Sequence, residues 1–284
     1  NYFLKLIEMN LRVIPRLDIK GPNLVKGINL EGLRIIGDPQ KYAEKYYLDG
    51  ADEIIYIDSV ASLYGRNNLS EVVDKAARKI SIPLTVGGGL RTIEDIKQIL
   101  KSGADKVAIN TEAVSNHEFI KKCVKYFGSS TIVLSINYKS WPNDSFKKST
   151  NLTVGSSAEK DITKWKSYYQ VYTENGRQQT GIDAFEWAQL GEKYGVGEVL
   201  LTSIDNEGMQ KGFETELTER LSKKLSIPFI VCGGLGKKED AKEICKKTKC
   251  SAISFASVLH YEKLKIKELK NYLNDNNIEV IHHE

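Results

Sequence analysis

Eight short apolar runs, rich in β-branched residues, alternate with helix-period segments, and this rhythm restricts the fold more than any other feature of the chain. The runs are Leu11–Ile19, Glu53–Ser59, Ile82–Val86, Asp105–Asn110, Thr131–Asn137, Gly197–Ser203, Ile227–Cys232 and Cys250–Phe255. Amphipathic stretches follow them at Pro39–Asp49, Leu69–Lys79, Thr92–Lys101, Ser115–Phe127, Asp183–Tyr194, Phe213–Lys223, Lys237–Lys247 and Ile266–Leu273. Strands alternating with helices build a parallel sheet. Eight such units in 284 residues predict a closed (β/α)8 TIM barrel of the α/β class. An open doubly wound sheet is the alternative, but it would more often carry GxGxxG after its first strand, and none is present there. A single domain over residues 1–284 is expected. Within it, 1–10 reads as a leader and 138–176 as a polar, lysine-rich insertion after the fifth strand, part loop and part hairpin (Tyr168–Thr173).

The two halves of the chain resemble each other. The stretch IPLTVGGGL from Ile82 recurs as IPFIVCGGL from Ile227, and Glu53 falls on Glu198 at the same offset of 145 residues (198 − 53 and 227 − 82). A barrel of two half-barrel repeats follows, with two similar sites related by a pseudo-twofold axis. In each half the third strand ends in glycines, Gly87-Gly88-Gly89 and Gly233-Gly234, which let a backbone approach an anion and present its N–H groups. The next strand in each half ends in small residues, Asn110-Thr111 and Ala256-Ser257, at a helix start suited to phosphate. Two such places at one barrel mouth suit a substrate with a phosphate at each end.

Side chains alternate along a strand, so Arg12, Arg16 and Asp18 share a face. Three other strands begin with a charge, at Glu53, Lys106 and Glu198. If these point inward, two cations and two anions meet at the amino-terminal end of the barrel, as a polar gate or passage along its axis. Buried charges of this kind require mutual pairing.

Composition narrows the function classes. Forty-one Lys and Arg against thirty-seven Asp and Glu leave a formal charge of +4 without a basic stripe, so nucleic acid is not expected as a partner. No apolar run approaches the ~18 residues of a membrane span. Cys123, Cys232, Cys245 and Cys250 lack paired spacing and the four histidines are scattered. A disulfide framework, a structural zinc site and a cofactor are therefore not expected, and a cytoplasmic location is the default. Cys232 reads as a small buried thiol, and Asp58 and Asp205 as strand-end residues near the mouth. Tyr64-Gly65-Arg66 reads as a solvated loop.

With these blocks in place, the sequence resembles the HisF family, the cyclase subunits of imidazole glycerol phosphate synthase. The resemblance runs from about Leu11 to the end, outside the insertion. It rests on LDIK from Leu17, VKG from Val25, GADE from Gly50, PLTVGGGLR from Pro83, GADKVAIN from Gly103, LTSID from Leu201 and ASV from Ala256. It implies a glutaminase (HisH-like) partner docked on the amino-terminal face, near Asp105, that releases ammonia into the barrel. It implies a gate of Arg12, Glu53, Lys106 and Glu198. Phosphate contacts would come from Gly89, Asn110 and Thr111 in one half and from Gly208, Gly234, Ala256 and Ser257 in the other, with Thr202 as a further substrate contact, Lys26 as a loop lysine that helps hold the substrate, and Glu207 in place of the family's usual aspartate near the second site. Asp18 matches one of the family's two catalytic aspartates.

The chain departs from the family at informative places. The second catalytic aspartate is Asn137 here, and an amide cannot exchange a proton as a carboxylate does. Arg16 stands where the family has a small residue, and it is placed either to pair with Asp18 or to bind an additional anionic group. The pattern favours a HisF-like paralogue of surface-polysaccharide biosynthesis that adds ammonia to a phosphorylated or nucleotide-linked sugar, converting an acetamido into an acetamidino group. The alternatives are the histidine-pathway cyclase itself and a non-catalytic barrel that activates its glutaminase.

Overall fold

The computed structural model describes residues 10–61, 69–142 and 167–282. The chain runs β1 (Arg12–Lys20), β2 (Asn23–Ile28), β3 (Glu31–Gly37), α1 (Pro39–Leu48), β4 (Ile54–Asp58), α2 (Ser70–Ala77), β5 (Leu84–Gly87), α3 (Ile93–Lys101), β6 (Lys106–Ile109), α4 (Thr111–Ser115) and α5 (His117–Phe127). It continues through β7 (Ile132–Pro142), β8 (Ser167–Thr173), β9 (Gln178–Asp183), α6 (Ala184–Tyr194), β10 (Glu198–Ser203), α7 (Glu216–Ser222), β11 (Phe229–Cys232), α8 (Lys238–Lys247), β12 (Ala252–Phe255), α9 (Ser257–His260) and α10 (Ile266–Asp275).

Eight strands, β1, β4, β5, β6, β7, β10, β11 and β12, pair in parallel, and the pairing of β7 with β10 and of β12 with β1 closes the ring. The eight expected strands and the barrel are thus observed. Two antiparallel hairpins extend the wall at the mouth. β2 and β3 fold back from β1, and β8 and β9 fold back from β7. Each half-barrel therefore opens with a strand that carries a hairpin, which the pseudo-twofold relation accounts for. Of the segment 138–176, residues 138–142 prolong β7 and 167–173 form β8. Residues 143–166, the leader residues 1–9 and Tyr64-Gly65-Arg66 lie outside the described residues.

Helix boundaries follow local chemistry. Asp38 accepts hydrogen bonds from the N–H groups of Gln40 and Lys41 and starts α1. Thr92 and Asp95 form a reciprocal capping box at α3. Asp183 accepts from the Glu186 N–H to start α6, and Gly195 ends that helix in the left-handed region. Two apolar cores result. The larger lies between the strands and the helices and holds Leu17, Tyr56, Leu134, Trp187 and Phe255, among others. The smaller fills the barrel itself with Ile14, Ile55, Ala108, Val133, Leu200, Ile230 and Ala252.

The floor of the barrel is tied to the end of the chain. Asp52 accepts from the Val13 N–H at 2.7 Å and from Lys270 Nζ at 2.6 Å, and Lys270 also donates to the Ile281 carbonyl. Asp52 and Lys270 are both buried. Removing one member of a buried pair strands the other in low dielectric. Lys270→Met is expected to lower unfolding free energy by about 3 kcal/mol, read as a lower urea midpoint with an unchanged slope.

Candidate active site

The barrel interior is layered along its axis, and β1 samples every layer. Arg12, Ile14, Arg16 and Asp18 point inward in succession, from the amino-terminal floor to the carboxy-terminal mouth.

At the floor four charges close into a ring. Arg12 Nη1 meets Glu53 Oε2 at 2.8 Å, and Arg12 Nη2 pairs with Glu198. Lys106 Nζ bridges the same two carboxylates at 2.8 and 3.0 Å. Thr85 donates to Glu53 and Arg12 donates to Ser251. Burial alone would weaken ionisation of Glu198 and Arg12, but the opposite charges outweigh it: Glu198 is held below the usual carboxylate range and Arg12 above its ordinary value. The ring has equal positive and negative charge, and opening it requires a pair to break. The adjacent Asp105 is exposed and accepts from the Leu84 N–H.

Above the ring comes the aliphatic layer of the inner core, with Ala108 and Ala252 as its smallest members. Above that lies a second charged cluster. Arg16 Nε donates to Asp18 at 2.9 Å and Nη1 to Thr202 Oγ1 at 3.1 Å. Lys26 pairs with Glu207 and stands 3.6 Å from the second oxygen of Asp18. All four charged groups are buried. Burial would raise the Asp18 carboxyl, but Arg16 and Lys26 prevail and hold it below its ordinary value. Lys26 is likewise raised by Glu207 and Asp18 against the effect of burial. Asp18 is thus a firmly ionised carboxylate.

Asn137 sits opposite on β7, where it pairs in register with Tyr172 as Asp18 pairs with Val25. It lines an open cavity together with Arg16, Ser135, Asp58, Gly89, Asn110 and Thr111. The first phosphate candidate, Gly89 with Asn110 and Thr111, therefore faces a cavity. The helix behind it is shorter than the sequence suggests: α4 has five residues and α9 four. Free backbone N–H groups remain there, but little macrodipole stands behind them.

The second candidate is differently placed. Ala256, Ser257 and Thr202 are buried, and Gly208 packs so closely on the β2–β3 hairpin that an added Cβ would lie 2.6 Å from the Gly27 carbonyl. A Cβ on Gly234 would lie 2.0 Å from the Gly212 carbonyl. Lys26 belongs to strand β2 and is bound to Glu207. Asn29 fastens the hairpin turn to the Ile204 and Asp205 carbonyls. The two hairpins meet above this side, where Leu30, Tyr172 and Ile204 cluster with Trp141 and Asn175 donates to the Leu30 carbonyl. The cavity lies on the Gly89 side, where the β8–β9 hairpin also reaches in, with Asn110 Nδ2 donating to the Tyr172 carbonyl and the Glu174 N–H to Thr111 Oγ1, and the β2–β3 hairpin covers the Gly208 side.

The remaining candidates take structural places. Cys232 is buried beside Arg16, and burial pushes its thiol up. Asp58 caps Val60 and Ala61 while lining the cavity. Asp205 accepts from the Ser140 N–H on the long β7 strand. Sequence reasoning passes over Ser135 and Asn175, which also line the cavity. Ser135 is two residues from Asn137, so strand period marks it. Asn175, at a φ of 55° in the β8–β9 turn, is placed by tertiary folding. His260 is also passed over. It is buried on α9, hydrogen-bonded through Nδ1 to Tyr46, and its Nε2 has no partner among the described residues.

Burial, with Lys26 nearby, lowers the His260 imidazole to about 3. The unfolded chain protonates that group near 6.5, so acid favours the unfolded chain across the interval between these values. Stability is expected to fall as pH drops below about 6.5, and His260→Asn is expected to flatten that dependence in urea titrations run at several pH values.

Comparison with known proteins places this geometry. The family described as "Histidine biosynthesis protein" matches residues 12–265. A Legionella pneumophila protein is 51% identical over 231 residues, covering 81% of this chain and 98% of the relative. A relative from Clostridium botulinum strain Okra is 42% identical over 269 residues, covering 95% and 98%. One from Methanocaldococcus jannaschii is 41% identical over 270 residues, covering 94% and 97%. All three bear the name "Imidazole glycerol phosphate synthase subunit HisF". No helix among the described residues is long and apolar enough to cross a membrane. With a family match over residues 12–265 and relatives aligned over nearly their whole length, the chain belongs to the histidine biosynthesis protein family, among its HisF members.

Proposed function

We propose that this chain is the ammonia-accepting barrel of a two-subunit, glutamine-dependent synthase. The observation that carries this reading is the coaxial stack: a closed charged ring at the floor, an aliphatic layer above it, and a polar cavity at the mouth. A glutaminase of the HisH type docks on the floor face beside Asp105 and releases ammonia at Arg12, Glu53, Lys106 and Glu198. The neutral molecule crosses the aliphatic layer and meets a phosphorylated acceptor held at Gly89, Asn110 and Thr111. Asp18, ionised beside Arg16, accepts a proton from the attacking nitrogen or orients the acceptor.

Two acceptors fit this frame. The name shared by the relatives supports imidazole ring closure in histidine biosynthesis, and on the comparisons alone it is the better supported. The mouth supports a second reading. Ring closure with cleavage calls for proton transfer from both sides of the acceptor. Asn137 supplies no proton-exchanging group on its side, and Asp18 is clamped by two cations. An acetamido sugar linked to a nucleotide, converted to the acetamidino form, suits a mouth with one carboxylate and added positive charge. A barrel that only activates its glutaminase is the reading both would displace.

Reconstitution with a HisH-type glutaminase and glutamine labelled with nitrogen-15 in the amide tests the proposal. Label is expected in a phosphorylated acceptor, and the acceptor that takes it decides between ring closure and sugar amidination. Absence of transfer to either class, with glutamine hydrolysis intact, would sink the synthase reading. Asp18→Asn is expected to lower transfer from free ammonium by about 100-fold or more. Lys106→Ala is expected to separate glutamine hydrolysis from transfer while leaving the ammonium-driven reaction within a few-fold. Under the ring-closure reading, Asn137→Asp raises the rate with the histidine-pathway acceptor.

A further inference from the structure

Arg16 is almost wholly buried, at 1% exposure, yet its hydrogen bonds leave part of the guanidinium unused. Nε serves Asp18, and Nη1 serves Thr202 with a longer contact of 3.8 Å to Cys232 Sγ. Among the described residues no acceptor meets Nη2, and Arg16 lines the cavity beside Asn137. A guanidinium has five N–H donors in a planar fork. A structural counter-ion for Asp18 alone would need only part of that fork.

The surroundings indicate what the free edge would meet. The cavity is lined by Ser135 and Asn137, neutral groups with donors to spare, by Arg91, and by the carboxylates of Asp58 and Glu112, of which Asp58 already accepts from the Val60 and Ala61 N–H groups. A desolvated fork is matched best by a carboxylate or phosphate, which takes two parallel N–H bonds, whereas a neutral carbonyl takes one. The cavity is open outward, so a long substituent extends into solvent.

We infer that Arg16 is a specificity residue whose free guanidinium edge binds a second anionic group of the acceptor, next to the phosphate held at Gly89, Asn110 and Thr111. This rests on the proposed synthase reading and narrows its acceptor to a ligand with two anions close together on the Gly89 side of the mouth. The shared chemistry is a phosphate plus a neighbouring anion, supplied either by a diphosphate, as in a nucleotide-linked sugar, or by a carboxylate on a phosphorylated sugar acid.

Calorimetric titration of the full chain with inorganic phosphate, inorganic pyrophosphate and 3-phosphoglycerate tests this. At least one two-anion probe is expected to bind about tenfold or more tighter than phosphate, and the tighter of the two identifies the source of the second anion. Arg16→Met is expected to remove that preference while changing phosphate affinity less than about threefold. Arg16→Lys keeps a cation beside Asp18, preserves the fold and removes the planar fork, so it is expected to lose the preference as well. Equal affinity for all three probes, or a preference that survives in Arg16→Lys with an unchanged thermal midpoint, overturns the inference. Labelled nitrogen transfer separates the two claims. Transfer without a two-anion preference leaves the synthase reading standing and removes the role of Arg16, and a preference without transfer does the reverse.

Discussion

Charges inside a closed barrel survive only in company. A guanidinium or carboxylate stripped of water loses far more than a single contact returns, so each must be met by an opposite charge with good geometry. This chain places charge inside its barrel at two levels, and both are balanced: Arg12 and Lys106 against Glu53 and Glu198, and Arg16 and Lys26 against Asp18 and Glu207. The residues that face these clusters, the spacing along β1 and the hairpin that brings Lys26 inward all follow from that requirement. The aliphatic layer between the clusters keeps them from shorting into one network.

The two halves of the barrel have diverged most where they meet the cavity. β1 and β7 are equivalent strands, each feeding an antiparallel hairpin, yet one presents Asp18 and the other Asn137 at the matching place. The hairpins differ as well. The first delivers a lysine into the interior, and the second delivers an aromatic cluster and Asn175 across the top. A symmetric scaffold has in this way become an asymmetric mouth.

Much of this is legible in the sequence, for identifiable reasons. The eight barrel strands announce themselves because each is a mostly buried run rich in β-branched residues, and the floor ring because Arg12, Glu53, Lys106 and Glu198 open their strands. Strands β2 and β3 escape notice because NLVKGI and EGLRIIG mix charge and glycine without clean alternation. The roofing of the Gly208 side is invisible for another reason. It depends on Asn29, Gly27 and Leu30 meeting residues about 175 positions later, a contact no local pattern encodes. The pairing of Arg16 with Asp18 follows from their sharing a face, whereas the idle edge of the guanidinium requires the positions of Thr202 and Cys232.

The aliphatic layer has a consequence for which form of nitrogen moves. Seven hydrocarbon side chains, drawn from every barrel strand but β5, offer a passing molecule no lone pair and no donor. A hydrated ammonium ion would have to shed its shell with nothing in return, whereas the uncharged molecule gives up little. Under the proposed function the barrel therefore acts as a charge filter: the ammonium form stays below the layer, the free base goes forward, and the reaction above starts with a nucleophile already deprotonated.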